Sequence, residues 1–387
     1  MKKVDHLDAG VLLVEFLVLG PPFPRNAVGE FGKFLRHGAA VVEHPLGFLL
    51  VAHPVGLHAE PLIERLLHPK QFDRQFLDQM CDLTTDIRTL AKTQHGLARL
   101  QGLLSHKRAM LYFTQPSTRT FLSFNNACHI LGIKTSEIRD SATSSEVKGE
   151  TLEDSIRTFS SYVDVIIMRT LGKGLAEKSA SLMDSISRPI PIINAGSGKD
   201  QHPTQALLDI YTLERSLAHR GGIDHKVIGM MGDLSRGRTA RSLAYLMKNY
   251  QGVELVFIAP DRFTMEPDIL DYLTRHNIRH SQTTELTRVI SELDAIYVTR
   301  IQSEHDASDG SRDINLADYT VDPSNIDLMK EDAVIMHPLP RGAELSPGID
   351  DDPRAKYWRQ ERNGMWMRAA LLTRIFGAED TLYEIAR

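Results

Sequence analysis

The sequence predicts an α/β protein with two doubly wound parallel-sheet domains and a C-terminal helix that packs back on them. Short apolar runs typical of buried strands alternate with segments of helical periodicity along most of the chain. The length of 387 residues is enough for two domains of ordinary size. No solenoid repeat or low-complexity tract interrupts the alternation.

The predicted domain boundaries follow the start of this alternation and a helix near its middle. Residues 1–66 are predicted to be an N-terminal extension of unknown role. Residues 67–208 form the first domain, and residues 209–387 form the second domain with the C-terminal helix.

The N-terminal extension superficially resembles a secretion signal. Lys2 and Lys3 precede an apolar run at 11–19, but acidic residues, Glu15 among them, lie in or beside that run. No small-residue cleavage site follows, so secretion is not predicted. The run is also too short to span a bilayer, and no membrane association is expected.

The predicted elements of the first domain come in a regular order. Helical spacing covers 71–97, and helices are also expected at 118–131, 152–162, 174–187 and from Pro203 past Tyr211. Predicted strands of this domain are 110–113, 133–138, 164–169 and 190–194.

The second domain repeats the same rhythm. Its predicted strands are 226–231, 254–259, 295–300 and 334–337. Its predicted helices are 238–250, 267–277 and 363–376.

Composition narrows the class of protein. The chain is 42% hydrophobic and 25% charged, with a formal net charge of −5, so general nucleic-acid binding is not expected. Only Cys81 and Cys128 are present, which favours a reducing cytoplasm over an oxidising compartment. No histidine or cysteine cluster has metal-ligand spacing, so neither a metal nor a cofactor is predicted.

The segment 110–131 predicts an anion site. A short strand, a Gln115-Pro116 break and Ser117 as N-cap lead into a helix whose first turn carries Arg119 and two threonines. A helix N-terminus with hydroxyl groups and a guanidinium favours a phosphate. Taken alone, the same residues are equally consistent with an ordinary capped helix and a solvated arginine.

Cationic or imidazole side chains recur just past the predicted strands. In open parallel sheets, ligands bind at the carboxyl edge of the strands, so these groups predict one anion-binding cleft between the domains. The groups are Arg119, Arg169, His202, Arg238, Arg300 and the pair His337 and Arg341.

Six motifs, taken in order, resemble the aspartate carbamoyltransferase family over about residues 67–376. They are PSTRT at 116–120, SSEVKGET at 144–151, HPTQALLD at 202–209, GDLSRGRT at 232–239, TRIQ at 299–302 and HPLPR at 337–341. The resemblance implies carbamoyl phosphate and L-aspartate as substrates and a cytoplasmic homotrimeric catalytic unit with shared sites. It leaves open whether a regulatory or dihydroorotase partner binds.

The resemblance also implies residue roles. Ser144 and Lys148 would reach a neighbouring subunit's site; from its surroundings alone, Lys148 reads as a solvated loop lysine. The residues implied to act in catalysis are Arg119, Thr120, Lys148, Arg169 and His202. Those implied to bind carbamoyl phosphate are Ser117, Thr118, Arg119, Thr120, Ser144, Lys148, Arg169, His202, Gln205, Leu339 and Pro340. Those implied to bind aspartate are Lys148, Arg238, Thr239, Arg300 and Gln302.

Three positions depart from the family pattern. Gln115 stands where glutamate is common, Phe121 where arginine is common, and Thr170 where histidine is common. The first two departures remove charges beside the phosphate turn and put in doubt the ion pairs that couple domain closure to binding. A loop at 303–321 is expected to move on aspartate binding, and Arg312 within it is a weak candidate for a second contact.

Two alternatives stay open. One is a transcarbamylase for another amino acid such as ornithine; such enzymes typically read HCLP where this chain reads HPLP. The other is a catalytically silent relative that serves as an assembly subunit. The arginines predicted for the cleft favour the aspartate enzyme over both.

Overall fold

The structure is a computed structural model. It describes residues 68–140, 149–172, 174–196, 202–301 and 315–386, together with the backbone of four short strands before residue 68. The chain divides into two compact units, Met1–Leu62 and Ile63–Arg387. In the first unit, strands β1 (Phe16–Val18), β2 (Ala40–Glu43) and β3 (Leu49–Ala52) form an antiparallel sheet in the order β1-β3-β2.

The second unit holds two five-stranded sheets, and the first of these is entirely parallel. Its strand order is β4-β8-β7-β5-β6, so successive strands are linked by crossovers, as doubly wound sheets require. The central strands are almost wholly buried because helices cover both faces. The strands are β4 (Arg65–Leu66), β5 (Arg108–Phe113), β6 (Lys134–Ile138), β7 (Val165–Arg169) and β8 (Ile192–Asn194).

The second parallel sheet has the order β11-β10-β9-β12-β13. Strands β10 and β11 lie on one side of β9, and β12 and β13 lie on the other side. The strand order therefore reverses at β9, which creates a switch point where the strand ends leave a crevice. The strands are β9 (Val227–Met231), β10 (Glu254–Ile258), β11 (Arg279–Thr283), β12 (Ala295–Val298) and β13 (Val334–Met336).

Helices connect and cover the sheets. The last long helix, α9, packs against α1, α3 and α6, so the C-terminal end of the chain returns to the first sheet. The helices are α1 (Arg74–Leu90), α2 (Gln94–Leu103), α3 (Thr118–Ile130), α4 (Leu152–Tyr162), α5 (Leu175–Met183), α6 (Pro203–Leu217), α7 (Arg238–Leu246), α8 (Pro267–Arg275), α9 (Tyr357–Ile375) and α10 (Glu379–Ala386). No helix in the described part of the chain is long and apolar enough to cross a membrane.

The predicted fold class, two parallel α/β sheets with a C-terminal helix packed back, is confirmed. One predicted element is wrong: the helical pattern at 71–97 is two helices. The chain turns after Leu90, and the Thr93 hydroxyl caps the second helix by accepting a hydrogen bond from the Gly96 N–H. A side chain at Gly96 would collide with the Leu90 carbonyl, which fixes the break.

Two further elements differ from the prediction. Helix α9 begins at Tyr357 rather than near Asn363, so it carries an additional turn toward the strand ends. Strand β11 was not predicted because it is a polar edge strand, with the sequence RHSQT and no apolar run.

Candidate active site

A cavity of about 510 Å³ lies where the carboxyl ends of the two sheets meet. Both sheets, the start of α6 and the first turns of α9 contribute side chains to its wall. The residues that line it are Gln115, Ser117, Arg119, Thr120, Arg169, His202, Gln205, Leu208, Arg236, Gly237, Arg238, Thr239, Thr299, Arg300, His337, Pro338, Leu339, Pro340, Glu361 and Arg368.

The turn between β5 and α3 supplies the first group of these residues. Ser117 is the N-cap residue, but its hydroxyl does not cap the helix and lines the cavity instead. Thr120 is buried, whereas Arg119 is exposed toward the cavity and donates a hydrogen bond to the Leu339 carbonyl. Thr118 is exposed and does not line the cavity. The turn therefore offers a helix N-terminus, two hydroxyl groups and a guanidinium to an anion.

Phe121 anchors this turn in the core. Its ring packs edge-on against Phe113, with the ring centroids 5.5 Å apart. The Arg139 guanidinium lies 4.2 Å from the centroid of the Phe121 ring. Phe121 therefore lacks the charge of the arginine that is common at this position, while the cation that follows β6 packs on its ring.

Arg169, the last residue of β7, is a buried cation at the back of the cavity. It is 7% exposed, and its Nη1 donates to the Ala195 carbonyl at 3.3 Å. Burial, together with the positive charges of Arg238, Arg368 and Arg119, lowers the pKa of its guanidinium to about 9. A crowded, desolvated cation of this kind is stabilised by an anion entering the cavity.

His202 lies beside Arg169 as the N-cap residue of α6, with Pro203 at the predicted first helical position. Its ring is buried, and its Nδ1 lies 3.5 Å from the Thr204 hydroxyl. Burial and the nearby arginines hold the pKa of His202 well below the ordinary range, so the ring is neutral at pH 7. Gly196 makes room for it: with φ of +95°, a Cβ there would lie 2.8 Å from the His202 Cδ2 atom.

The second sheet contributes two arginines to the cavity. Arg238 starts α7, and its Nη1 donates to the Gly196 carbonyl at 2.9 Å; burial lowers its pKa. Arg300 follows β12 and, like Arg238, is half-buried. Thr239 lines the same wall. Backbone carbonyls at 195 and 196 thus hold arginines from both sheets at one place.

Of the last pair of residues predicted for the cleft, His337 lines the cavity, as predicted, whereas the prediction is wrong for Arg341. His337 is a buried frame residue: its Nδ1 accepts from the Leu339 N–H at 2.8 Å, and its Nε2 lies 2.9 Å from a Glu344 carboxylate oxygen. Arg341 binds Asp350 and does not line the cavity. These two side chains already have carboxylate partners, so they shape the loop at 338–340 rather than offer charge to an anion.

Two cavity residues were missed from the sequence because they lie on α9, far from the motifs. Arg368 is 3% exposed and donates to the Ser123 hydroxyl; burial lowers its pKa to about 10. Glu361 is the one carboxylate among the lining residues that the structure describes, and its oxygen lies 3.8 Å from Arg119 Nε. Burial raises the pKa of Glu361. Their spacing of seven residues places them on one face of α9, but the sequence does not show that this face reaches the cavity.

Some predicted site residues fall outside the described part of the chain. Ser144, Lys148, Gln302 and Arg312 belong to this group, as does most of the loop predicted to move. Their roles stay predictions. Among the described residues, no group of three histidine, cysteine, aspartate or glutamate side chains is placed to hold a metal ion.

The fold and the cavity define an α/β protein in which arginines from two parallel sheets meet at a common strand-end cleft. The family model for the carbamoyl-phosphate-binding domain of aspartate/ornithine carbamoyltransferases matches residues 64–215. The model for the Asp/Orn-binding domain matches residues 224–375. The chain belongs to the aspartate/ornithine carbamoyltransferase family, as its motifs predicted, and its enzymatic class is that of a carbamoyltransferase.

Individual relatives narrow the likeness to aspartate enzymes. A chloroplastic aspartate carbamoyltransferase of Oryza sativa is 40% identical over 82% of this chain and 86% of the relative. An aspartate carbamoyltransferase catalytic subunit of Clostridium novyi is 37% identical over 81% of this chain and 98% of its own. The aspartate transcarbamoylase of Trypanosoma cruzi, solved with N-(phosphonacetyl)-L-aspartic acid, is 35% identical and covers 80% of this chain and 95% of its own, with a TM-score of 0.73.

Proposed function

We propose that this protein transfers the carbamoyl group of carbamoyl phosphate to the amine of L-aspartate, which yields N-carbamoyl-L-aspartate and phosphate for pyrimidine (UMP) biosynthesis. The observation that carries the proposal is the convergence of arginines from both sheets on one cavity. One substrate brings a phosphate and the other brings two carboxylates, and arginine is the side chain suited to both groups.

The side of the cavity formed by Ser117, Arg119, Thr120, Arg169, His202 and Gln205, here called the first-sheet wall, suits carbamoyl phosphate. The hydroxyl groups of Ser117 and Thr120 and the Arg119 guanidinium surround the phosphate position at the start of α3. Arg169 and neutral His202 lie side by side behind it, as donors for the carbonyl oxygen. Gln205 lines the same cavity, which supports its assignment to the carbamoyl amide.

The reaction follows from this charge arrangement. The deprotonated amine attacks the carbamoyl carbon, a C–N bond forms, and negative charge develops on the carbonyl oxygen. Arg169 and His202 stabilise that charge, because preorganised donors in a water-poor site act most strongly on charge that develops in the transition state. The bond between the carbamoyl carbon and the bridging phosphate oxygen then breaks, and the leaving phosphate accepts the amine proton.

Aspartate fits the second-sheet wall better than ornithine. Arg238 and Arg300 line it, whereas the one carboxylate among the described lining residues, Glu361, lies beside Arg119 at the phosphate side. Among the described residues of this wall, a cationic acceptor would face arginines and no carboxylate, which costs binding energy.

An assay with labelled carbamoyl phosphate and a panel of amino acids tests the proposal. The expected result is labelled carbamoyl product with L-aspartate and little with ornithine, asparagine or glutamate. If ornithine were turned over in preference to L-aspartate, the assignment of L-aspartate as the acceptor would be wrong. Absence of product with every amino acid, from a protein that still binds phosphate, would favour the silent assembly subunit.

We also propose that the protein acts as a homotrimer in which Lys148 completes a neighbour's site. The support is the sequence resemblance. His202→Ala and Lys148→Ala chains, each inactive, are mixed in equal amounts, dissociated and reassembled. About a quarter of wild-type activity is expected, because about three-quarters of random rings are mixed and each mixed ring has one intact site in three. No recovery, with mixed trimers verified by native mass spectrometry, would contradict the shared site.

A cytoplasmic location is the final part of the proposal. The support is the low cysteine content and the acidic residues around the N-terminal apolar run. The plant relatives are named chloroplastic, so location differs among relatives. Cell fractionation should recover the activity in the soluble cytoplasmic fraction, and recovery in an organelle would overturn this part alone.

A further inference from the structure

A fully buried carboxylate lies directly behind the cavity. Asp209, on α6, is 0% exposed and accepts hydrogen bonds from three side chains on three elements. The donors are Gln205 Nε2 at 3.0 Å on α6, Tyr297 OH at 2.8 Å on β12 and Gln360 Nε2 at 2.7 Å on α9. The carboxylate therefore joins the helix behind the first sheet, a central strand of the second sheet and the C-terminal helix.

One branch of this network runs from Asp209 to the phosphate side of the cavity. The Gln360 amide donates to Asp209, and its oxygen accepts from the His337 N–H at 2.9 Å. His337 Nδ1 in turn accepts from the Leu339 N–H, and the Leu339 carbonyl accepts from Arg119. Only one orientation of the Gln360 amide satisfies both of its partners. The donors and acceptors along this series of hydrogen bonds are therefore fixed.

The other branch is a single bond. Because Gln205 donates its amide N–H to Asp209, its carbonyl is left as the acceptor for a ligand in the cavity. A carbonyl there accepts from the NH₂ of a carbamoyl group, which agrees with the carbamoyl carbonyl oxygen facing Arg169 and His202. Asp209 thereby sets which end of the Gln205 amide faces the substrate.

We propose that Asp209 is a positioning residue that holds Gln205 and, through Gln360 and His337, the Leu339–Arg119 contact in the arrangement that binds carbamoyl phosphate. This inference rests on the proposed function. The three donors need an ionised carboxylate, because a protonated carboxyl would direct its own O–H at one of them. Protonation of Asp209 should therefore loosen both branches at once.

The surroundings place this protonation in an accessible range. Burial, opposed by the three hydrogen bonds and assisted by the nearby Glu361 carboxylate, raises the pKa of Asp209 to about 7. The titratable and charged groups that face it are Tyr297 from β12 and Glu361 and Arg368 from α9. As pH falls below about 7, the carboxylate is lost, and kcat/KM for carbamoyl phosphate should fall with it.

The test is the pH profile of kcat/KM for carbamoyl phosphate in three variants, between about pH 5.5 and 9. Tyr297→Phe removes one donor without removing the carboxylate, so the acid limb should move to higher pH. Asp209→Asn should lower kcat/KM by about tenfold to a hundredfold, because misplaced substrate contacts cost that much, and should remove the acid limb.

Thr212→Val is the matched control. Thr212 is buried on the same helix and accepts from Asn363 of α9, but it does not line the cavity. The Thr212→Val variant should be less stable than the wild-type protein but should keep the acid limb of the wild-type pH profile. An unshifted limb in an active Tyr297→Phe enzyme would overturn the role of Asp209, even where Asp209→Asn does not fold. If the wild-type protein were inactive with every amino acid, the proposed function itself would be contradicted instead.

Discussion

The two walls of the cavity differ in how deeply they bury their polar groups. On the first-sheet wall, Thr120, Arg169 and His202 are all at most 7% exposed. On the second-sheet wall, Arg238 and Arg300 are half-buried. Charge is therefore strongly desolvated around Arg169 at the back of the first-sheet wall, whereas Arg119 at its front and the two arginines of the second-sheet wall are partly solvated.

This difference separates chemistry from recognition. Electrostatic interactions are strongest where water is excluded, so the first-sheet wall can stabilise charge that develops during the reaction. The second-sheet wall can bind a carboxylate-bearing substrate that must enter and leave. Substitutions on the first wall should therefore lower kcat, and substitutions on the second should raise the KM of one substrate.

Arg169→Ala is expected to have the largest effect. Loss of a preorganised donor should cost about 3–4 kcal/mol of transition-state stabilisation, which lowers kcat by about two to three orders of magnitude. Steady-state kinetics with saturating substrates checks this, with circular dichroism to verify folding. If kcat were retained and only a KM changed, the first wall would serve binding rather than chemistry.

Arg300→Ala should act on the acceptor alone. The lost bond to a carboxylate is worth about 1.5–3 kcal/mol, so KM for aspartate should rise by about tenfold to 150-fold while KM for carbamoyl phosphate changes little. Arg354→Ala is the control: its guanidinium binds Asp352 outside the cavity, so both KM values should stay near wild type. Equal rises in the two KM values of Arg300→Ala would remove the distinction between the walls.

Glu361→Gln should have the smallest effect, and it should strengthen the binding of an anion rather than impair activity. The partly exposed Glu361 carboxylate competes with an anion for Arg119, and such pairs are worth up to about 1 kcal/mol. Inorganic phosphate should bind about two- to fivefold more tightly to the variant, by titration calorimetry, whereas Glu361→Asp should bind like wild type. Weaker phosphate binding by Glu361→Gln would mean that Glu361 holds Arg119 in position.

The sequence was most informative where local rules govern the structure. Helix α4 begins and ends at the predicted residues, since Thr151 caps its first turn and the apolar spacing marks its buried face. The strand-end arginines Arg119, Arg169, Arg238 and Arg300 meet in the cavity because parallel strands bring their carboxyl ends to one edge.

The sequence was least informative where tertiary packing decides the outcome. Glu361 and Arg368 reach the cavity because α9 folds back on α3 and α6, which no local pattern specifies. His337 resembled a substrate group but is bound to Glu344, a partner that becomes visible only in three dimensions. Strand β11 has no apolar pattern because it forms an exposed edge.

Binding of N-(phosphonacetyl)-L-aspartate, measured by calorimetry, tests most directly that the two walls form one site for two substrates. This compound carries a phosphonate for the first wall and both carboxylates for the second. Wild-type protein should bind it far more tightly than phosphate or aspartate, and Arg169→Ala and Arg300→Ala should each weaken that binding. Affinity no better than that of phosphate alone would contradict the account.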